Sequence, residues 1–397
     1  MTIDIDVLIV GGGLVGGSLA LALQDQPLRI GLVEALAAPE RAASASGDRA
    51  LALSRGTVQQ LKALALWPDV AANSMAIRHI HVSDQGHFGK TRLKADDPGV
   101  EALGHVVVAR VLEKALDQRL AESPIQRFCP ARVMSLKAGP DRIAVTVRAG
   151  DEDVVVSARL VVAADGGTST VRSLLGIEQD IHDYEQTAIV TDVHTGEDTR
   201  HTAFERFTPS GPLALLPIEP HRCSVVWTLG REDAEKILAE GEQELMARLR
   251  EAFGFWLGDL TLANPPVGFP LRLIQAESMV HQRVVLIGNA MHQIHPVAGQ
   301  GFNLGLRDAA VLADRLLTQH RLGNDLGDPD FLDQYARARE QDLKTVIRFT
   351  DGLVKVFSNT FPPLVALRNL ALVALDRLPP AKRLLTRRAM GYGIHLS

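Results

Sequence analysis

The stretch from Val7 to Glu34 limits this chain's fold more than any other. Val7 to Val10 is a short apolar run with β-branched residues, and Gly11-Gly12-Gly13-Leu14-Val15-Gly16-Gly17 follows it directly. Ser18 to Gln24 reads as helix and Arg29 to Val33 as a second strand. Strand, turn, helix and strand within about 30 residues open a parallel sheet. In Gly11-x-Gly13-x-x-Gly16 the first glycine permits a tight turn, the second lets backbone approach a pyrophosphate, and the third lets helix pack on strand. The phosphates then meet the positive end of the helix. Glu34 ends the second strand, where a carboxylate accepts hydrogen bonds from ribose hydroxyls. This motif alone does not separate FAD from NAD.

Two later segments narrow the choice. Val162-Ala163-Ala164-Asp165-Gly166-Gly167-Thr168-Ser169-Thr170-Val171-Arg172 follows a buried strand and opens a helix. Backbone donors at that turn can hold Asp165, and Gly166 suits a crowded or left-handed position. Leu286-Ile287-Gly288-Asn289 follows another strand and offers a polar Asn289 to a ribityl chain. Pro296 and Gly299-Gln300-Gly301-Phe302-Asn303 then start a helix whose N–H groups suit negative charge on a reduced isoalloxazine. His292 and His295 read as capping or core residues, since no further metal ligands cluster nearby in sequence.

Composition excludes several classes. Net charge is −5 and hydrophobic residues make up 46% of 397, which is globular and gives no basic surface for nucleic acid. Two cysteines make a disulfide framework unexpected, and Asp4 and Asp6 stand where a secretory signal carries positive charge. A cytoplasmic protein is expected, peripheral on the inner membrane at most.

Ser54 to Trp67 and Ala109 to Leu120 read as helices, and Ile77 to Ser83 as a strand. Val133–Leu136, Ile143–Val147 and Val154–Ala158 suggest an antiparallel meander, with Leu160–Ala163 a separate buried strand. Residues 178–280 read as mostly β with one helix near Ala234 to Ala252, and helices run from Leu304 onward. The expected fold class is α/β in a mixed α+β form. A Rossmann-like FAD-binding domain is discontinuous over 1–75, 104–177 and 281–345. A β-sheet substrate domain over 76–103 and 178–280 is inserted, and C-terminal helices occupy 346–397.

Taken together, the three segments resemble the class A flavoprotein aromatic hydroxylases, the family of p-hydroxybenzoate hydroxylase, over essentially the whole chain. Gly47-Asp48-Arg49-Ala50-Leu51-Ala52-Leu53-Ser54 with Gly56-Thr57, the Gly299 to Asp308 run and Arg368-Asn369-Leu370 resemble the ubiquinone-biosynthesis branch. Within it the chain is most similar to the hydroxylases of 2-polyprenyl-6-methoxyphenol. Most of the wider family has Gly-Asp where Gly288-Asn289 stands; the Asn points to the branch hydroxylating para to the phenol oxygen. The resemblance implies that Gly11, Gly13, Leu14, Val15, Gly16 and Glu34 meet the ADP half of FAD. Arg49 and Arg110 contact the flavin nucleotide, Asp165 and Asn289 touch the pyrophosphate and ribityl region, and Pro296 and Gly299 to Asn303 border the flavin ring.

It further implies that NAD(P)H reduces FAD as a transient reductant, without a nucleotide-binding domain of its own. Oxygen then yields a flavin C4a-hydroperoxide that hydroxylates a polyprenyl phenol or benzoquinol. No catalytic base is evident: His79, His81 and His87 read first as exposed strand residues, with one of them facing the substrate as the alternative. A hydroxylase of a small soluble aromatic would need a polar pocket with a carboxylate-binding arginine. A flavin halogenase would carry Trp-x-Trp, whereas Trp67, Trp227 and Trp256 stand apart. A non-catalytic flavin-binding subunit of a biosynthetic complex is a further reading, and a homo-oligomer another partner expectation. Leu364 to Leu378, followed by Lys382, Arg383, Arg387 and Arg388, suits a helix lying on an anionic membrane, or one packed on the FAD domain.

Overall fold

The computed structural model of the chain describes residues 2–38, 40, 45–357, 359 and 361–391. Its described strands form sheets of eight, nine and three strands. In the first sheet the strand Thr2–Val10 is buried without a break from Ile5 to Val10, as a parallel strand covered on both faces must be. It runs parallel to Ile30–Val33 on one side and to Glu152–Ala163 on the other. Gln126–Phe128 extends the first flank and Val284–Leu286 the second, both parallel.

Glu152–Ala163 corrects the expected split between a meander and a separate strand. Its first half pairs antiparallel with Ile143–Ala149, while from Val155 to Ala163 it runs parallel beside Thr2–Val10. Burial alternates up to Arg159 and is continuous from Leu160, so one strand passes from a half-open ladder into the covered core. Arg159 interrupts the apolar pattern, but its guanidinium reaches out to Asp6, Asp325 and the Asn324 carbonyl.

The nine-stranded sheet is built around Gln179–Thr195, which pairs with Arg222–Gly230 and Val267–Ala276. Beyond Arg222–Gly230 lie Gly211–Glu219, Thr202–Thr208, His79–Asp84 and Lys90–Lys94. Val193, Leu213, Val225 and Trp227 on one face pack against Leu245, Leu249 and Phe253 of the Glu242–Phe253 helix. The single helix expected there is two, Arg231–Glu240 and Glu242–Phe253, because Gly241 takes φ +89° between them. The expected Ile77–Ser83 strand is also two. Ser74–Ile77 joins a small sheet with Gly104–Val108 and Ala50–Ser54, while His79–Asp84 joins the large one. The switch is held by Arg78 and His79, whose amides both donate to the His201 carbonyl.

Four helices close the chain: Gln300–Arg321, Pro329–Phe357, Pro362–Arg377 and Pro379–Ala389. Residues 392–397 of the expected helical tail lie outside the described residues. The Pro362–Arg377 helix packs on the Lys90–Lys94 edge strand of the large sheet rather than on the nucleotide-type sheet. A buried polar cluster fastens it. Arg368 donates from Nε and Nη2 to Asp84 at 2.9 and 3.2 Å, and from Nη1 to the carbonyls of Val356, Phe357 and Asn359. Asn369 donates to Asp84 and accepts from the Gly89 amide. Arg368 is thus an internal anchor and not part of a membrane-facing charge pattern. Arg368→Ala would take the guanidinium from the buried Asp84 carboxylate and leave it only Asn369 and His87, at a cost of about 3 kcal/mol. Urea unfolding is expected to show that loss, with proteolysis opening first after residue 357.

Candidate active site

The first sheet places three turns along one edge. Gly11 N donates to Val33 O, Ala164 N to Val10 O, and Ile287 N to Ala163 O, so the carboxyl ends of adjacent parallel strands stay level. Ligands of open α/β sheets bind outside such ends, where strand order reverses. Here Thr2–Val10 is followed in sequence by the strand on one side and paired much later on the other.

The glycines fit two different jobs. A Cβ on Gly16 would fall 2.0 Å from Gly11 O, and one on Gly11, at φ +104°, 2.4 Å from Ala164 O. These two let backbone touch backbone. A Cβ on Gly13 would meet no protein atom within 4 Å, so no packing within the chain demands a glycine there. Gly13 also caps the Leu14–Leu23 helix without any side-chain cap bond, and Gly299, in the left-handed region, caps Gln300–Arg321 in the same way. Two helix N-termini lacking a side-chain cap are thereby aimed at one space, as an anionic dinucleotide requires. Val15 holds them together: it lies against Gly288 and Gly305, each too close for more than a glycine without adjustment.

That space is a cavity of about 1930 Å³. Of the residues expected at a cofactor, Gly13, Leu14, Val15, Arg49, Asn289, Pro296, Gly299, Gln300, Gly301, Phe302 and Asn303 line it. Gly11, Gly16, Glu34, Arg110 and Asp165 do not. Glu34 accepts from the amides of Gly12 at 2.7 Å and Leu36 at 2.8 Å, bracing the glycine turn at the end of the second strand. Asp165 accepts from Ser169 Oγ and the Val171 amide, so it ties its own turn to the following helix. Arg110 pairs with Asp48, itself on the cavity wall. Asn303 reaches the wall with its amide occupied: it accepts from Ser54 N and Thr57 Oγ1 and donates to the carbonyls of Ala52 and Gly299. It clamps the Ala50–Ser54 strand to the helix start.

Asp308 has no assigned role in the sequence reading, yet it organises the third turn. Its carboxylate accepts from Gly288 N and from Arg339, and meets His292 Nε2 at 2.7 Å. Burial opposes its charge, but His292 and Arg339 more than offset burial and hold it below the usual carboxylate range. The signal was the sequence Arg307-Asp308, but its partner Arg339 is a helix away. His292 is therefore a core residue, and His295 accepts from the Val297 amide within its own turn. His81, expected to be exposed, is buried against Phe204 and Trp256 on the sheet face opposite the cavity, and burial pushes its pKa down to about 4. Only His87 of the three is exposed, and it meets Asp84 at 3.3 Å.

The family model described as an FAD binding domain matches residues 4–350. The chain belongs to that FAD-binding family. Ubiquinone hydroxylase UbiL of Rhodospirillum rubrum is 38% identical over 393 residues, covering 97% of this chain and 89% of that one. The 3-demethoxyubiquinol 3-hydroxylase of Escherichia coli is 31% identical, over 97% of this chain and 98% of that one. Both bear out the resemblance to the ubiquinone-biosynthesis hydroxylases. The crystal structure of p-nitrophenol 4-monooxygenase PnpA from Pseudomonas putida shares the fold, with a TM-score of 0.78 and full coverage of both chains at 18% identity. The open Gly13 and the two helix N-termini lacking side-chain caps fit the FAD of this FAD-binding family. Because Gly13 has space around it, Gly13→Ala is expected to keep the apoprotein within about 1 kcal/mol of wild type. It should weaken FAD binding at least tenfold, read by fluorescence titration of the apoprotein with FAD.

Proposed function

We propose that this chain is an FAD-dependent monooxygenase that hydroxylates the ring of a polyprenylated phenol or benzoquinol in ubiquinone biosynthesis. The observation carrying the substrate class is the cavity. Ligand pockets commonly hold some 300–1,000 Å³, and this one, which takes in the cofactor end as well as the sheet and C-terminal-helix end, is about 1930 Å³. It runs from the Gly13, Asn289 and Pro296 end, past the large sheet, to the C-terminal helices. The sheet wall includes Ala188, Val190, Ala203, Ala214, Leu216 and Val226 beside the polar Asp192, Glu205 and Ser224, and the far end includes Leu364, Leu375 and Leu385 with Arg368 and Arg388. Such a wall suits a ring with a long apolar tail. A small aromatic acid would call for an arginine on that wall, and none of the described sheet residues there supplies one.

In this reading residues 1–75, 104–177 and 281–345 act as one cofactor-binding unit, and 76–103 with 178–280 as the substrate unit. Gly13, Leu14 and Val15 at one helix start and Gln300 to Asn303 at the other hold FAD, with Asn289 toward its ribityl chain and Glu34 bracing the turn. Reduced by NAD(P)H, the flavin supplies the oxygen-activating chemistry. The chain's own task is to bind the phenol, orient its ring and keep water out, which the aliphatic residues of the sheet wall serve. Purified holoenzyme is expected to oxidise NAD(P)H faster when a short-chain 2-prenyl-6-methoxyphenol is added and to yield a hydroxylated product. Bound flavin with no response to the phenol would count against the substrate assignment.

The C-terminal helices also suit contact with a lipid surface that holds such a substrate. No described helix is long and apolar enough to cross a membrane. Yet Leu367, Leu370, Ala374 and Leu378 form an exposed stripe at helical spacing, beside exposed Arg377, Arg383 and Arg387. Lys382 does not join them, since it pairs with Asp97. Leu367 belongs both to this stripe and to the cavity lining, so the helix stands between lipid and the cavity. Flotation with phosphatidylglycerol vesicles is expected to carry the protein at low salt and to release it at high salt. A protein left at the bottom of the gradient in both would refute this contact.

A further inference from the structure

The Thr202–Thr208 strand puts one carboxyl group on the cavity wall, between the apolar Ala203 and Phe207. Ala203, Glu205 and Phe207 alternate toward the cavity, as a strand's period requires. Arg206 points to the other face, where its Nε donates to the Ala252 carbonyl, so the sequence neighbour does not neutralise Glu205. Glu205 is half-buried and lines the cavity, next to its cross-strand neighbours Val82 and Ala214. It has no hydrogen-bond or ion-pair partner among the described residues. Of the other carboxylates on the cavity walls, Asp48 is committed to Arg110, Asp192 to Arg222 and Asn264, and Asp342 to Arg307 and Arg339, while Glu113 and Asp314 lie on helices rather than on the sheet wall. With burial alone acting on it, the Glu205 carboxyl is pushed up to about 7, so near neutrality it both donates and accepts.

Its place along the strand is informative. Ala203 clusters with Ala50, Ile77 and Val106, at the end of the cavity shared with the Ala50–Ser54 strand. Phe207 stacks on Phe357 at 3.7 Å and clusters with Leu372, at the C-terminal-helix end. Glu205 sits between them, about 7 Å along the strand from each, roughly the width of an aromatic ring. A carboxyl kept unpaired between Ala203 and Phe207 costs stability unless a ligand supplies its partner.

We propose that Glu205 hydrogen-bonds a ring oxygen of the phenol and thereby fixes which way round the substrate lies, ring toward the Ala50 end and tail toward the C-terminal helices. This rests on the phenol hydroxylase reading. Glu205 contacts substrate in this arrangement; transfer of the phenol proton is not required of it.

The test compares wild-type, Glu205→Leu and Glu205→Gln holoenzymes by titration with a short-chain prenyl phenol and with its O-methyl ether, followed through flavin absorbance. Wild type is expected to prefer the phenol over the ether by roughly tenfold, the scale of one hydrogen bond in an enclosed site. Glu205→Leu should lose that preference while keeping FAD affinity and melting no lower than wild type, since it removes an unpaired carboxyl from between Ala203 and Phe207. Glu205→Gln should keep the preference within about threefold. A Leu variant that still discriminates phenol from ether overturns the proposal with the substrate reading intact. A wild-type holoenzyme that binds neither compound overturns both.

Discussion

Backbone hydrogen bonds across parallel strands hold the carboxyl ends of Thr2–Val10, Ile30–Val33, Glu152–Ala163 and Val284–Leu286 on one line. Three sequence segments more than a hundred residues apart therefore deliver their turns to one edge. The close approach of Gly11 and Gly16 lowers the Leu14–Leu23 helix onto that edge, where any larger residue would push it away. Val15 then rests on Gly288 and Gly305, so the first turn locates the third. Without this register the two helix N-termini would not share a cavity.

Buried charge holds what the sheet does not. Asp308 joins the Gly288 turn, His292 and Arg339 of the following helix at one carboxylate. Asp84 does the same for Arg368 and Asn369, tying the C-terminal helices to the large sheet. Each carboxylate is fully surrounded by donors, which is the condition under which burial of an ion is tolerated. The carboxylates of Asp84 and Asp308 sit behind the cavity, while their partners Arg368 and Arg339 reach its wall.

The cavity reflects a division of labour along its length. Its nucleotide end presents backbone amides and helix starts, suited to phosphate and to charge on a flavin. Its middle and far end present aliphatic side chains from the sheet and the C-terminal helices. Glu205 stands on the sheet wall between Val82 and Ala214 of the neighbouring strands. The exposed Leu367 stripe extends that apolar character to the surface.

Much of this was legible in the residues alone. Glycine spacing after an apolar strand restricts local backbone so strongly that strand, turn, helix and terminal acid could be read without any long-range information. Asp165 and Asn289 announced their turns for the same reason. What distant contacts decide stayed hidden. Glu152–Ala163 is one strand because two different partners meet it, and Arg159, which looked like a break, finds carboxylates brought in by the fold. His81 is buried on the face away from the cavity because its strand pairs with Thr202–Thr208, which fixes which face looks at the cavity. The same pairing turns Glu205 toward the cavity, and neither orientation can be read from a strand whose two faces are both covered. The tail read as an amphipathic helix, but only Asp84, 284 residues away in sequence, explains why Arg368 points inward. Local backbone geometry is written in short motifs; side-chain partners are chosen by packing, and packing exists only once the chain has folded.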